Sequence, residues 1–144
     1  MAYVERRFPR PDVNLPFFFN VHEAVGPGAP NRHGDVLLVQ TMLAGILNDP
    51  SYGYRETVPT TGISDAATGR AILQFQRSFR RMVHRATGYR DGATDGRVSP
   101  SRNGELGYQR GSTAWSYTII ELNIEYKLYQ PDQVRAIAAA NPPF

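Results

Sequence analysis

The side chains best suited to bind a ligand are tyrosines that lie in glycine-rich and proline-rich stretches of the chain. Tyr52 and Tyr54 stand in one such stretch, and Tyr89 and Tyr108 stand in another. A tyrosine offers a flat apolar face and a hydroxyl group, which suit sugar rings and short peptides. Loops carried by a rigid frame often hold binding groups. Together with nearby charged residues, they make up the predicted ligand-binding set: Tyr52, Tyr54, Arg81, Tyr89, Asp91, Arg97 and Tyr108.

Residues that could support catalysis or hold a metal show no matching arrangement. His22, His33 and His84 have no metal-ligand spacing among themselves or with acidic residues. Asp91 and Asp95 could pair as carboxylates, but a glycine follows each of them, and Asp-Gly is far more typical of a turn. No nucleophile elbow, phosphate loop or dinucleotide motif appears in the sequence. We therefore predict a non-enzymatic protein with no metal and no cofactor.

The charge of the chain permits an anionic partner without requiring one. The 144 residues include 16 basic and 13 acidic side chains, which give a net charge of +3. Arginine, which suits carboxylates and phosphates, supplies almost all of the positive charge. Arg77, Arg80, Arg81 and Arg85 are close in sequence, so they either complement the C-terminal end of a helix or form an anion-binding face. Nucleic acid is the least favoured partner, because a net charge of +3 is modest.

Targeting and cross-linking signals are missing from the sequence. The chain contains no cysteine, which excludes disulfides and thiolate metal sites. No apolar run approaches the roughly 18 residues that a transmembrane helix needs. The first residues carry charges and prolines but no apolar signal core, so we expect no secretory signal.

Helical periodicity dominates the rest of the chain. Val36, Val39 and Leu43 recur on one face of a first helix, which begins near Asp35 and stops at Asn48. Apolar residues at similar spacing predict further helices over residues 65–85, 112–129 and 131–141. The expected fold is mostly α-helical: a compact three-helix core with an extra C-terminal helix, long loops and an irregular N-terminal arm. The predicted division is an arm at residues 1–33, packed on a helical domain at residues 34–144.

Three consecutive phenylalanines, Phe17 to Phe19, distinguish the N-terminal arm. They stand in a short apolar stretch that predicts a strand or a segment laid on the core. Side chains alternate along an extended chain, so all three cannot point inward. We expect packing on the protein's own domain to account for most of them, with at least one ring meeting another part of the protein or a partner.

Two segments repeat one pattern, a glycine turn followed by the start of a helix. With the Val-Leu-Leu-Val-Gln segment before them, the order resembles the three-helix peptidoglycan-binding domain of bacteria. That family reads V-x-x-L-Q-x-x-L, then D-G-x-F-G-x-x-T with a helix that ends in F-Q, then D-G-x-V-G-x-x-T with a closing helix. The matching residues here are Val36, Val39, Gln40, Leu43, Gly62, Thr68, Phe75, Gln76, Asp95, Gly96, Val98 and the closing-helix start Thr113 to Trp115.

This resemblance implies a helical, non-catalytic module that holds glycan or stem peptide of the cell wall in a shallow groove. Gln76, beside the core ring of Phe75, is expected to hydrogen-bond a loop carbonyl. The chain departs from the family pattern at three turn positions, where Thr61, Ser64 and Ser99 replace an aspartate, an apolar residue and a glycine.

A second function is left open beside cell-wall binding. The chain could keep the fold and bind another protein, as an accessory or cargo of a secretion or phage lysis apparatus. The altered turns, the long loops and the phenylalanine arm favour that alternative. In either case we expect synthesis in the cytoplasm and action in the periplasm or at the cell wall after delivery by such an apparatus.

Overall fold

Four α-helices and two pairs of short antiparallel strands form the regular structure of the described residues. The computed structural model describes residues 3–6, 17–78, 94–102, 105, 107–110 and 113–140. The elements in chain order are β1 (Tyr3–Arg6), β2 (Phe17–Asn20), α1 (His33–Leu47), a 3-10 turn (Pro50–Tyr52), α2 (Ala66–Ser78), β3 (Gly107–Arg110), β4 (Thr113–Ser116), α3 (Thr118–Tyr129) and α4 (Pro131–Ala140). The predicted mostly helical fold is confirmed.

Helix α1 occupies the centre, because it packs against both α2 and α3, while α4 packs on α3. Val36, Val39 and Leu43 recur along one face of α1 and are fully buried, as their spacing predicted. Phe75 of α2 and Val98 belong to the same apolar cluster. None of the described helices is both long and apolar enough to cross a membrane.

Helix α2 begins where a side chain satisfies its first backbone donors. Asp65 Oδ1 accepts hydrogen bonds from the backbone N–H and the hydroxyl of Thr68, both at 2.8 Å. Asp65 therefore acts as the N-cap of this helix. The hydrogen bonds from Thr68 lower the pKa of Asp65. The predicted last part of this helix, residues 79–85, lies outside the described residues.

A first glutamine clasp, formed by Gln40, Gly62, Ile63 and Thr68, ties α1 to the start of α2. Gln40 Oε1 accepts a hydrogen bond from the Gly62 N–H at 2.7 Å. Gln40 Nε2 donates to the Ile63 carbonyl at 2.9 Å and to Thr68 Oγ1 at 3.0 Å. Gly62 has a φ of 76°, and a Cβ there would lie 2.2 Å from His33 Cε1. Only glycine therefore fits this corner without strain.

A second glutamine clasp, formed by Gln76, Gly96, Arg97 and Thr118, repeats the pattern between α2 and α3. Gln76 Oε1 accepts a hydrogen bond from the Gly96 N–H at 3.0 Å. Gln76 Nε2 donates to the Arg97 carbonyl at 2.9 Å and to Thr118 Oγ1 at 3.0 Å. The φ of Gly96 is 75°. The two predicted repeats thus share one hydrogen-bonding scheme, and the predicted bond from Gln76 to a loop carbonyl is confirmed.

The N-terminal arm contributes a strand to the core rather than only an irregular cover. β2 pairs with β1, and its Phe18 and Phe19 side chains are both buried in the apolar cluster. Asn123 of α3 holds the strand, since its amide accepts from the Phe19 N–H at 2.7 Å and donates to the Phe19 carbonyl at 2.9 Å. Asp35, fully buried in α1, accepts from the backbone N–H groups of residues 22 and 23.

The closing helix does not begin where the sequence predicted. Residues 113–116, expected to be its first turn, form strand β4, and α3 starts at Thr118. Trp115 therefore lies on a strand, half-buried, and the described apolar cluster does not include it. The prediction that Thr113 to Trp115 begin the closing helix is wrong. The threonine that closes the second clasp is Thr118, not Thr113.

Candidate functional site

A cavity of about 550 Å³ opens where the second clasp, the β3–β4 hairpin and the first turn of α3 meet. Its lining comes from three parts of the chain that are distant in sequence. Ala24 precedes the bend at Gly26, residues 95–102 include the second glycine corner, and residues 116–118 lead into α3. The side chains that could contact a ligand are Asp95, Arg97, Ser99, Arg102 and Tyr117.

Backbone pairing joins two of the chain segments that line this cavity. Val25 and Val98 exchange two hydrogen bonds, at 2.9 and 2.8 Å, which join the N-terminal segment to the second corner. The two backbones come so close that a Cβ on Gly26 would lie 2.4 Å from the Gly96 carbonyl oxygen. Gly26 has a φ of 133°, so glycine is needed here for both space and conformation.

The same segment is attached to β2 a few residues later. Asn20 Nδ2 donates to the Ser101 carbonyl at 2.9 Å, and Asn20 Oδ1 accepts from the Ser101 N–H at 3.1 Å. Both residues are buried. The stretch between Val98 and Arg102, which crosses the cavity, is therefore fixed at both ends.

Arg97 and Arg102 give the cavity a positive character. Both side chains are exposed, and the cavity contains one acidic side chain, Asp95, among its lining residues. Arg97 Nε donates to the Pro27 carbonyl at 2.7 Å, which anchors the guanidinium group at one end. Asp95 Oδ1 accepts from the Arg97 backbone N–H at 2.9 Å, so the carboxylate stabilises the corner itself. Guanidinium groups placed in this way can bind a carboxylate.

Helix α3 adds polar groups at the inner end of the cavity. Its N-cap residue, Tyr117, makes no side-chain capping bond among the described residues, and the positive end of the helix dipole lies here. Ser116 is buried and donates its hydroxyl hydrogen to Glu121 Oε1 at 2.5 Å. The half-buried Tyr117 ring offers an apolar surface beside these groups. The lining residues can thus bind an anionic ligand that has an apolar part.

The predicted ligand-binding set is divided by the structure. Arg97 lines the cavity, whereas Tyr52 and Tyr54 pack against the apolar cluster elsewhere. Tyr108 belongs to β3, where it lies opposite Trp115. The other three members of the set lie outside the described residues: Arg81, Tyr89 and Asp91.

The two packed tyrosines have partners of their own. The Tyr52 hydroxyl hydrogen-bonds Ser78 Oγ, and its ring lies 6.2 Å from that of Tyr129. Burial raises the pKa of Tyr52. Tyr54 donates to Glu56 Oε2 at 3.3 Å, and burial raises the pKa of Tyr54 as well.

Among the lining residues that the sequence analysis missed, Arg102 and Tyr117 are the two best suited to contact a ligand. Tyr117 was assigned to the interior of a helix, which hid its place before the helix start. A signal for the hairpin was present, because only Gly111 and Ser112 separate Tyr-Gln-Arg from Thr-Ala-Trp, and Gly-Ser is a typical two-residue hairpin connection. Among the described residues, no group of three or more histidine, aspartate or glutamate side chains is placed to hold a metal ion.

The resemblance noted in the sequence depends on a set of ordered motif residues. Those residues form the two clasps and their apolar surroundings, apart from Trp115 and the neighbouring Thr113. Comparison of the chain with protein-family models, with curated proteins and with solved structures finds no match.

Proposed function

We propose that this protein is a non-catalytic module that binds bacterial peptidoglycan, with the cavity at the second clasp as its binding site. The observation that carries the proposal is the pair Arg97 and Arg102 beside the Tyr117 ring, at the corner that matches the family's third motif. Peptidoglycan joins sugar rings to short peptides that bear carboxylates. Arginine suits the carboxylates, and a tyrosine face suits the apolar side of a sugar or peptide.

Preorganisation supports binding at this place. The corner is held by Gln76, by the Val25–Val98 pair and by Asn20, so its backbone is ordered before any ligand arrives. A site that is already ordered loses less entropy when a ligand binds. The anchored Arg97 side chain shares this advantage, since its Nε is already bonded to Pro27.

Binding to another protein is the alternative function, and the burial of two phenylalanines removes one of the observations that favoured it. Phe18 and Phe19 lie inside the apolar cluster and are not free to dock a partner. Nucleic-acid binding would need the arginine group that begins at Arg77, most of which lies outside the described residues. Delivery of the protein to the cell wall by a secretion or phage apparatus is part of the same proposal.

Cosedimentation with purified sacculi tests the proposal. We expect the wild-type protein to sediment with insoluble peptidoglycan at low and moderate salt. The double change Arg97→Ala and Arg102→Ala removes two charge-assisted contacts and should weaken binding by about tenfold or more. The matched control is Arg32→Ala with Arg55→Ala, because both residues are exposed, lie outside the cavity and lower the net charge equally.

Two results would contradict the proposal. Wild-type protein that stays in the supernatant at both salt concentrations would exclude peptidoglycan binding. Equal weakening by the two double variants would show that binding depends on overall charge and not on this cavity. Circular dichroism of each variant establishes that it is folded before the comparison is made.

A further inference from the structure

The guanidinium group of Arg97 is held by a loop from the N-terminal part of the chain, residues 24–31, which we call the supporting loop. The Pro27 carbonyl of this loop accepts a hydrogen bond from Arg97 Nε at 2.7 Å. Arg97 Nη2 lies where a side chain on Gly28 would stand, because a Cβ there would be only 2.7 Å from it. An arginine side chain has considerable rotamer freedom to lose, so two contacts with one loop restrict Arg97 strongly.

Asn31 fixes the supporting loop itself. Its Oδ1 accepts a hydrogen bond from the Gly26 N–H at 2.7 Å, and its Nδ2 donates to the carbonyls of Gly26 and Ala29, both at 2.9 Å. Asn31 has a φ of 53°, a conformation in which asparagine is enriched. The Pro27 ring lies against α2, since a Cβ on Gly69 would meet it at 3.5 Å. The carbonyl that holds Arg97 therefore belongs to an ordered part of the backbone.

The loop leaves the terminal nitrogens of Arg97 available to a ligand. Among the described residues, Pro27 alone accepts a hydrogen bond from the guanidinium group, and it binds Nε. Nη1 and Nη2 together form a planar fork that can donate to both oxygens of a carboxylate. The supporting loop thus fixes the direction of this fork without occupying it.

We infer that the supporting loop positions the Arg97 guanidinium group for ligand binding, with Gly28 and Asn31 as positioning residues. The inference rests on the proposed function, because it concerns the contact between Arg97 and a carboxylate of peptidoglycan. A donor held in its binding orientation loses less entropy when the ligand arrives. A side chain on Gly28 would push Nη2 away and turn the fork from that orientation.

Gly28→Ala tests the inference, with Gly53→Ala as its matched control. Both glycines are exposed and have left-handed φ values, 69° and 78°, so alanine strains the backbone at either position. A Cβ at Gly53 would meet nothing within 4 Å, whereas a Cβ at Gly28 would meet Arg97. We expect similar urea midpoints for the two variants, but about tenfold weaker binding to sacculi by Gly28→Ala. Equal binding by the two variants would overturn the inference.

A double-mutant cycle separates positioning from a structural effect of Gly28. In an Arg97→Ala background the guanidinium group is gone, so adding Gly28→Ala should leave binding to sacculi within about twofold. The same tenfold loss in both backgrounds would show that Gly28 acts independently of Arg97, and would overturn the inference. Wild-type protein that stays in the supernatant would instead refute the proposed function, and the positioning role with it.

NMR of the arginine side chains measures the support without any ligand. In ¹⁵N-labelled protein, the Nε–H signal of Arg97 is identified by its loss in Arg97→Lys. We expect this proton to exchange slowly with water in wild type and in Gly53→Ala, and faster in Gly28→Ala. Asn31→Gly, which tolerates the same φ but lacks the three side-chain hydrogen bonds, should also speed the exchange. Equally fast exchange in wild type and in all variants would overturn the inference.

Discussion

Replacing the glutamine of either clasp should lower the stability of the fold. Only the replacement in the second clasp should also weaken ligand binding. Gln76→Met keeps the length of the side chain and removes its hydrogen-bonding groups. The structure offers a matched variant in Gln40→Met, because Gln40 makes the equivalent bonds in the first clasp. Gln74→Met, an exposed position on α2, controls for the substitution itself.

The expected loss follows from the bonds that each variant breaks. Gln40 makes three hydrogen bonds, and Gln76 makes the same three plus a longer one to Asp95 at 3.3 Å. At about 1 kcal/mol for each bond, either variant should lower the free energy of unfolding by about 3 kcal/mol. Domains are stable by about 5–15 kcal/mol, so both variants should still be largely folded. For Gln74→Met we expect a change within about 0.5 kcal/mol.

Urea unfolding followed by circular dichroism measures these losses, and cosedimentation with sacculi measures binding. Gln76→Met releases the corner that carries Arg97, so its binding should fall by about tenfold at a temperature where the protein is folded. Gln40→Met should bind as wild type does. A loss below about 1 kcal/mol in Gln40→Met, with an unchanged dependence on urea, would refute the role of the clasp. Equal binding by the two variants would refute the link between the second corner and the ligand.

Two further predictions concern stability. Gly69→Ala in α2 should raise the free energy of unfolding, measured in urea, by about 0.5–1 kcal/mol, because a Cβ there would meet only the Pro27 ring, at an ordinary 3.5 Å. Gly62→Ala should lower the free energy of unfolding. A stabilised Gly62→Ala variant would contradict the steric argument. Burial raises the pKa of Glu125 above its ordinary value of 4.5. The folded protein therefore keeps the carboxyl proton of Glu125 at a pH where the unfolded chain has lost it. Stability consequently falls as the pH rises from 4.5 towards the raised pKa. Glu125 Oε2 is also buried without a hydrogen-bond partner among the described residues, so Glu125→Gln should raise stability by about 1 kcal/mol at pH 8 and leave it unchanged at pH 4. An identical pH dependence in thermal unfolding of the variant and wild type would contradict this.

Local pattern predicted the helices wherever one face of the helix meets the core. Val36, Val39 and Leu43 lie on one face of α1, and that face is buried. The helical spacing of these residues is enough to predict both the helix and its buried face. The same rule failed at Trp115, which stands four residues before Ile119 and so matches the period by chance. Trp115 belongs to a strand because its segment pairs with residues 107–110, and helical spacing alone does not report that pairing.

The candidate site was only partly predictable for a related reason. Arg97 was found because it lies within the Asp-Gly-x-Val motif, and that motif marks the second corner. The cavity also needs Ala24 and Tyr117, which reach it through the Val25–Val98 pair and the hairpin. The Val25–Val98 pair joins residues 73 positions apart, so it depends on the folded chain.

The unequal spans that the two clasps enclose suggest a use in protein engineering. Because the same clasp bonds form over 22 residues as over six, we expect the helices to keep their places when the length of the segment between Arg102 and Ser116 is changed. Doubling such a segment adds only about 0.6 kcal/mol of closure entropy. The molecule therefore offers a graft position for libraries of variable loops, comparable to the way in which antibodies diversify on a constant framework.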